Sequence, residues 1–232
     1  MVLGGYQKLT LIDYPGKIAA TVFTVGCSFR CPFCHNPELV ETQSIASVRS
    51  NIENEFFEFL KKRKGRLEGV CITGGEPTIQ PDLANFIKKI KTLGYFVKLD
   101  TNGSRPDVLK KIIDSKMVDF IAMDIKDAPK KYKKTSGGMA DLERIKLSVN
   151  MIMNSGIDYE FRTTVVPGIH EEKDFDEIAK WIKGAKVYYL QEYREGKILD
   201  PKLKEKTKGK IISLDSIGKK IQGNFQKFGI RG

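Results

Sequence analysis

The chain contains no apolar run near the roughly 18 residues that a membrane-spanning helix needs, so no span is expected. Its first ten residues, MVLGGYQKLT, lack a basic region followed by an apolar stretch, so export is not expected. Internal repeats and low-complexity tracts are absent. Cysteine is sparse: there are four, three of them lie within eight residues, and only Cys71 stands elsewhere. That distribution excludes a disulfide framework and a second cluster domain, and it suggests metal binding in a reducing cytoplasm. Acidic residues are outnumbered, 29 against 40 Lys and Arg, for a net charge of +11.

The crowded cysteines read Cys27-Ser-Phe-Arg-Cys31-Pro-Phe-Cys34, a CxxxCxxC run. Three thiolates can hold three irons of a cubane 4Fe–4S cluster and leave the fourth without a protein ligand, open to a small molecule. So short a loop must curl tightly, which lets the sulfurs face one point, and Phe33 would shield the cluster and offer backbone groups to a ligand. The competing reading is a zinc site completed by His35 or Cys71. Structural zinc sites are closed by four ligands and more often pair two CxxC units, which this chain lacks.

With 232 residues and 41% apolar content, the chain fits one large domain with a substantial core. Strand-like runs at Ile18–Val25, Gly69–Thr73, Tyr95–Asp100, Val118–Ile125, Asp158–Val166 and Val187–Leu190 are rich in Val, Ile, Phe and Tyr. Amphipathic helical patterns fall between them, at Asn51–Lys62, Pro81–Leu93, Pro106–Met117, Asp141–Asn154 and Glu171–Ile182. Strands alternating with helices imply an α/β fold with a parallel sheet. A closed eight-fold barrel needs about 250 residues, so six units predict an open, partial (βα)6 TIM-like barrel with a helical C-terminal extension. A doubly wound sheet is the rival. The barrel is favoured because distinctive polar residues follow successive strand ends, where a barrel gathers them at one mouth.

Residues 1–193 are read as the core, with 1–17 as an extended lead-in, and 194–232 as a basic extension packed on or beside it. Leu214, Ile217, Ile221 and Phe225 predict a last amphipathic helix, and the lysine-rich stretch before it a loop. Two stretches, Lys126–Lys134 and Lys202–Lys210, carry much of the positive excess. They suit either a solvated surface or a face for an acidic partner. Nucleic acid is not expected, since no aromatic residues interleave the second stretch.

Gly74-Gly75-Glu76-Pro77 follows the second strand-like run, and adjacent glycines let backbone groups approach a ligand without a Cβ in the way. The CxxxCxxC loop and this GGEP turn together resemble the radical S-adenosylmethionine (SAM) enzymes. The resemblance extends from about Gly5 to Tyr193. LIDYPGKIAATVFTVGCSFRCPFCHNPEL, LDTNG at Leu99–Gly103 and MDIK at Met123–Lys126 are similar to the activating proteins of glycyl-radical enzymes, in particular those of anaerobic ribonucleoside-triphosphate reductase.

That resemblance implies that Cys27, Cys31 and Cys34 ligate a 4Fe–4S cluster whose fourth iron is chelated by SAM. It implies that Gly74 and Gly75 meet the SAM amino group through backbone, with Glu76 orienting the loop. Asp100, Asn102, Asp124 and Lys126 would lie near the amino, carboxylate and ribose groups, and Val165 and Val166 near adenine. The implied reaction is reductive cleavage of SAM to a 5′-deoxyadenosyl radical, which takes hydrogen from a glycine of a partner enzyme. A flavodoxin or ferredoxin would donate the electron. Independently of the name, carboxylates at Asp100 and Asp124 would oppose a cationic sulfonium, and Lys126 could pair with a carboxylate. Taken singly, the same residues read as strand-end caps and a solvated lysine.

Cys71 reads as a small buried hydrophobe, His35 as a residue shaping the cluster turn and His170 as a loop residue. Arg162 would line the mouth or serve a structural pair. Gln191 ends the last strand-like run, near where the pyruvate formate-lyase activating branch would carry a histidine. A radical SAM enzyme acting on a small molecule or tRNA, or a non-catalytic iron–sulfur or zinc protein, would share much of this pattern.

Overall fold

The computed structural model describes residues 1–40 and 51–232. One eight-stranded sheet organises them, with its strands in chain order. β1 (Leu3–Thr10) is antiparallel to β2 (Ala19–Thr24). The parallel strands β3 (Gly69–Gly74), β4 (Phe96–Thr101), β5 (Phe120–Asp124), β6 (Asp158–Val165), β7 (Val187–Glu192) and β8 (Lys227–Arg231) follow.

The crossovers carry α1 (Ile52–Lys62), α2 (Leu83–Thr92), α3 (Pro106–Asp114), the short α4 (Tyr132–Thr135), α5 (Leu142–Met153) and α6 (Glu172–Trp181). Local chemistry starts several of them. Pro106 occupies the first turn of α3, where its missing N–H is no loss. Asp141 accepts from the N–H groups of Glu143 and Arg144 to cap α5, and Glu171 with Asp174 forms a capping box on α6.

Side chains alternate between the two faces of each strand. Val70, Ile72, Val97, Leu99, Ile121, Met123, Tyr159, Phe161, Tyr188 and Leu190 join a core with Phe56, Leu60, Phe86, Ile87, Leu109, Ile145, Val149, Phe175 and Ile178 from the helices. The opposite face carries polar and charged groups: Cys71, Lys98, Asp100, Asp124, Glu160, Arg162 and Thr164. The sheet curls around that face. Asp13, in the connection between β1 and β2, and Arg231, on β8, line one cavity, which a flat sheet of eight strands would not allow. β1 and β8 are not paired, so the curl stays open along one side.

The partial barrel predicted from the six parallel units is therefore present, with differences at its two ends. The extension after residue 193 contains α7 (Leu203–Thr207) and α8 (Leu214–Ile221) but ends in β8, so it adds a strand to the sheet. Phe225 lies beyond the last helix and packs against Tyr188, ring centroids 4.8 Å apart. The run KFGIR is too short, and has too little β-branched character, to announce a strand; the exposed edge of β7 supplies its pairing. The lead-in predicted for 1–17 contains a full strand, β1. The lysine-rich stretch expected as a loop holds the short α7, seated by buried Leu203 and Thr207.

Candidate functional site

The loop after β2 brings Cys27, Cys31 and Cys34 to the lining of one cavity of about 210 Å³, together with Phe29 and Phe33. All three are free thiols. Cys31 is buried, and Cys34 N–H donates to its carbonyl at 3.0 Å, which tightens the turn. Phe29 N–H donates to Cys27 Sγ at 3.3 Å, and Asn102 Nδ2 lies 3.7 Å from the same sulfur. Burial pushes the Cys27 thiol up to about 11 and the Cys31 thiol up to about 12, so loading metal here means displacing protons.

Among the described residues no three Cys, His, Asp or Glu side chains stand close enough to hold a single metal ion. The three thiols share the lining of this one cavity. Three thiolates along one cavity can each take a different iron of a cluster, whereas a structural zinc site is closed by four ligands. His35 is not drawn in as a ligand; its ring stacks on Tyr193 at 5.6 Å.

Gly74 and Gly75 are required by close approach. A Cβ on Gly74 (φ +113°) would stand 2.3 Å from Thr24 N, and one on Gly75 would stand 2.0 Å from Gly26 O. Gly75 N–H donates to Thr24 O at 2.9 Å and Glu76 N–H to Gly26 O at 2.7 Å, which locks this turn to the cysteine loop. Glu76 is buried and its carboxylate accepts from Thr78 N–H (3.1 Å), Thr78 Oγ1 (2.5 Å), Thr101 Oγ1 (2.7 Å) and Asn102 N–H (2.6 Å). Burial raises its pKa, against these hydrogen bonds. With its acceptors so engaged, Glu76 ties the end of β3 to the end of β4.

A ladder of charge crosses the concave face. Asp124 and Arg162 are register partners on β5 and β6, with Arg162 Nε 2.9 Å from the carboxylate. Lys126 Nζ lies 3.0 Å from the other Asp124 oxygen. Arg162 also reaches Asp100 at 3.2 Å, and Asp100 in turn pairs with buried Lys98, the register neighbour of Cys71. Burial alone would raise both carboxyl groups, but Arg162 with Lys98 holds Asp100 low, and Arg162 with Lys126 holds Asp124 well below the ordinary range. Lys126 is pushed up: burial opposes this, and Asp124 outweighs it. The readings of Asp124 as a strand-end cap and Lys126 as a solvated lysine therefore fail, since each is paired in the cavity wall.

Of the sequence-predicted site residues, Phe33, Gly74, Gly75, Glu76, Asp100, Asn102, Asp124 and Lys126 line the same cavity as the three cysteines. Val165 and Val166 do not; both are buried in the core, and Thr164 stands in the lining. His170 is buried and structural: its Nδ1 accepts from Val166 N–H at 2.9 Å, so Nε2 carries the proton toward Lys126 O, also 2.9 Å away. Lys98, Glu160 and Arg231 escaped the sequence reading. A signal existed for the first two, because Lys98/Asp100 and Glu160/Arg162/Thr164 recur with period two inside strands whose alternate residues are apolar.

A second cavity, about 690 Å³, shares His35, Arg162 and Thr164 with the first and runs to the open side of the barrel, where Asp13, Glu192, Arg194 and Arg231 line it. Gln191 lies in this second cavity. The site is thus a polar chamber with a cysteine loop at one wall and a wide lateral opening.

Comparison with known proteins agrees with this geometry. The Radical SAM superfamily profile matches residues 21–182. A Methanocaldococcus jannaschii protein assigned as a glycyl-radical enzyme activating enzyme is 32% identical over 223 residues, covering 94% of this chain and 90% of that protein. The pyruvate formate-lyase-activating enzyme of Clostridium pasteurianum is 29% identical, covering 75% of this chain and 74% of the enzyme. In fold, the crystal structure of Streptococcus suis SuiB bound to S-adenosylmethionine superimposes with a TM-score of 0.65 at 15% identity; it matches 90% of this chain, which spans about half (49%) of that structure. The superfamily implies a 4Fe–4S cluster and SAM, and the cysteine-lined chamber fits both. The chain belongs to the radical SAM superfamily, within its glycyl-radical enzyme activating branch.

Proposed function

We propose that this activating enzyme installs the glycyl radical on an anaerobic ribonucleoside-triphosphate reductase, in a reducing cytoplasm, with an electron from a flavodoxin- or ferredoxin-type donor. When bound, the 4Fe–4S cluster and SAM supply the chemistry, one-electron cleavage of the sulfonium to a 5′-deoxyadenosyl radical that takes hydrogen from the partner's glycine. Everything else falls to side chains and backbone of this chain. Cys27, Cys31 and Cys34 are the residues that would hold the cluster, and as three ligands they would leave one iron without a protein side chain.

The N–H groups of Gly75 and Glu76 are already used within the fold, so the Gly74-Gly75 turn has carbonyl oxygens to offer an ammonium. Asp100 and Asp124, held ionised by Arg162, oppose the cationic sulfonium. Lys126 is placed to neutralise the SAM carboxylate, Asn102 lies beside Cys27 to fix the cosubstrate's edge, and Phe33, itself buried, lines the cavity beside the cysteines.

The observation that carries the reading is that three unpaired thiols and the Asp100–Arg162–Asp124 ladder share one chamber with a side opening large enough for a peptide loop. Gln191, in place of the histidine expected in the pyruvate formate-lyase branch, supports the reductase as partner. The test is anaerobic incubation of the reconstituted chain with SAM, reductant and either a ribonucleotide reductase or a pyruvate formate-lyase. A glycine-centred doublet in the electron paramagnetic resonance spectrum of the reductase is expected. A doublet on the lyase alone moves the assignment to that partner. Turnover of a metabolite or tRNA with no protein substrate would instead select the small-molecule or tRNA reading, and stoichiometric zinc without SAM cleavage the non-catalytic one.

A further inference from the structure

Two lysine-rich segments, far apart in the chain, meet at the loop that carries the three cysteines. Arg30 N–H donates to Ser136 O at 3.0 Å, so the segment with Lys133 and Lys134 lies against one flank of that loop. The approach is close: a Cβ on Gly137 would stand 2.3 Å from Arg30 O. On the other flank Leu199 N–H donates to Cys34 O at 3.1 Å and Asp200 N–H to Pro32 O at 3.0 Å, which seats the segment leading into Lys204, Lys206, Lys208 and Lys210. The turn after β6 bridges the two, because Lys131 Nζ reaches Ile169 O at 2.8 Å and a Cβ on Gly168 would lie 2.6 Å from Lys206 O.

The result is a collar of positive charge around the outer side of the cysteine loop. All six of these lysines are exposed, and none has a carboxylate within 4 Å among the described residues. On the outer helices Lys61, Lys89, Lys110 and Lys146 are paired with a nearby Glu or Asp while Lys62, Lys88, Lys111 and Lys180 are not, so what sets the collar apart is the gathering of six unpaired lysines on two segments at one loop. Leaving like charges unpaired and adjacent costs self-repulsion that an acidic partner would relieve.

We propose that this collar is the docking surface for a small acidic protein carrying a one-electron redox group. The inference rests on the activating-enzyme reading, which requires an electron from outside the chain. The carrier is oxidised by one electron, what the cysteine loop holds is reduced by one, and no bond forms or breaks at the collar. The collar suits a carrier better than the glycine-bearing partner for two reasons. No lysine lines the lateral opening, where both signs of charge occur, so the collar and the opening are separate surfaces. Solvent-exposed lysines also steer encounter more than they hold a complex, which fits a partner that must leave to be reduced again.

The test uses the full reconstituted chain, an acidic flavodoxin as probe and a basic c-type cytochrome as control, with binding read from flavin or haem absorbance changes. Lys204→Glu/Lys206→Glu/Lys208→Glu is expected to weaken flavodoxin binding about tenfold or more at low ionic strength. The difference should vanish near 1 M salt, where the screening length is about 3 Å. Lys133→Glu/Lys134→Glu should do the same from the other flank. SAM cleavage driven by dithionite, a small reductant that needs no docking, should stay within about twofold in both variants, with unchanged circular dichroism.

Flavodoxin affinity unaltered by either set, or insensitive to salt, overturns the collar. So does salt-dependent RNA binding that the substitutions abolish while flavodoxin binding persists, or a dithionite-driven loss of glycyl radical on the partner in the variants. Failure of the unsubstituted chain to cleave SAM with dithionite overturns the activating-enzyme reading instead, and the collar's role falls with it.

Discussion

Arg231 on β8 clamps the carboxylate of Glu160 on β6 with two hydrogen bonds, 3.0 and 2.8 Å, while Arg162 approaches the same carboxylate at 3.7 Å. Glu160 is buried, and Arg231 lies across the face of Tyr189, 3.5 Å from its centroid. The last strand is thereby joined through one acidic group to the arginine that aligns Asp100 and Asp124. Replacing Arg231 with Met would leave Glu160 buried and without its bidentate partner. Because Arg231 is itself a third exposed, we expect a stability loss of about 2 kcal/mol and not the larger value of a fully buried pair. SAM affinity should fall several-fold as Arg162 relaxes toward Glu160. Adding Glu160→Gln should recover part of the stability. Urea midpoints and equilibrium dialysis with labelled SAM measure the two effects, and unchanged SAM affinity would mean that the clamp is purely structural.

Cysteine substitutions separate ligands from core. Cys31→Ala should abolish the brown chromophore after anaerobic reconstitution, and with it SAM cleavage, while the fold persists. Cys71 is fully buried and lies against Lys98, 3.7 Å from its Nζ. Cys71→Ala should keep the cluster and most cleavage, at a stability cost of about 1 kcal/mol for the small cavity. Equal loss of chromophore in both variants would show that the ligand set is wrong.

Gly75→Ala tests the close approach of the two loops. Its Cβ would collide with Gly26 O, so the turn after β3 must move away from the cysteine loop. SAM affinity should drop at least about tenfold with little change in iron content, since the backbone that meets the cosubstrate shifts while the thiols remain. Iron analysis beside a binding isotherm reads this out.

The charge ladder predicts an acid response. The folded pKa values of Asp100 and Asp124 lie below the ordinary carboxylate value of about 3.9, so their contribution to stability is complete above that value. It is lost as pH falls from about 4 through the lower folded values. Asp124→Asn lacks this linkage. The stability gap between the metal-free chain and this variant should therefore be widest near about pH 6 and narrow steadily toward about pH 2. A gap that does not change with pH would show that Asp124 is not held ionised by Arg162 and Lys126.

What the sequence determined by itself was local or periodic. Six parallel strands and their helices were legible because alternation and amphipathic stripes are written in neighbouring residues. The cysteine loop was legible because its three cysteines lie within eight residues, and the GGEP turn because, next to that loop, it completes the resemblance to radical SAM enzymes. β8 was not, since five residues with little β character become a strand only where β7 offers an unpaired edge. Lys98, Glu160 and Arg231 were not singled out either, because a charged side chain acquires a role only from partners on other strands. The curl of the sheet chose those partners: it set Asp124 beside Arg162, put Arg231 on Glu160 and drew two distant lysine segments to one loop. Charge pairing acts through space and not along the chain, so only the tertiary structure could decide it.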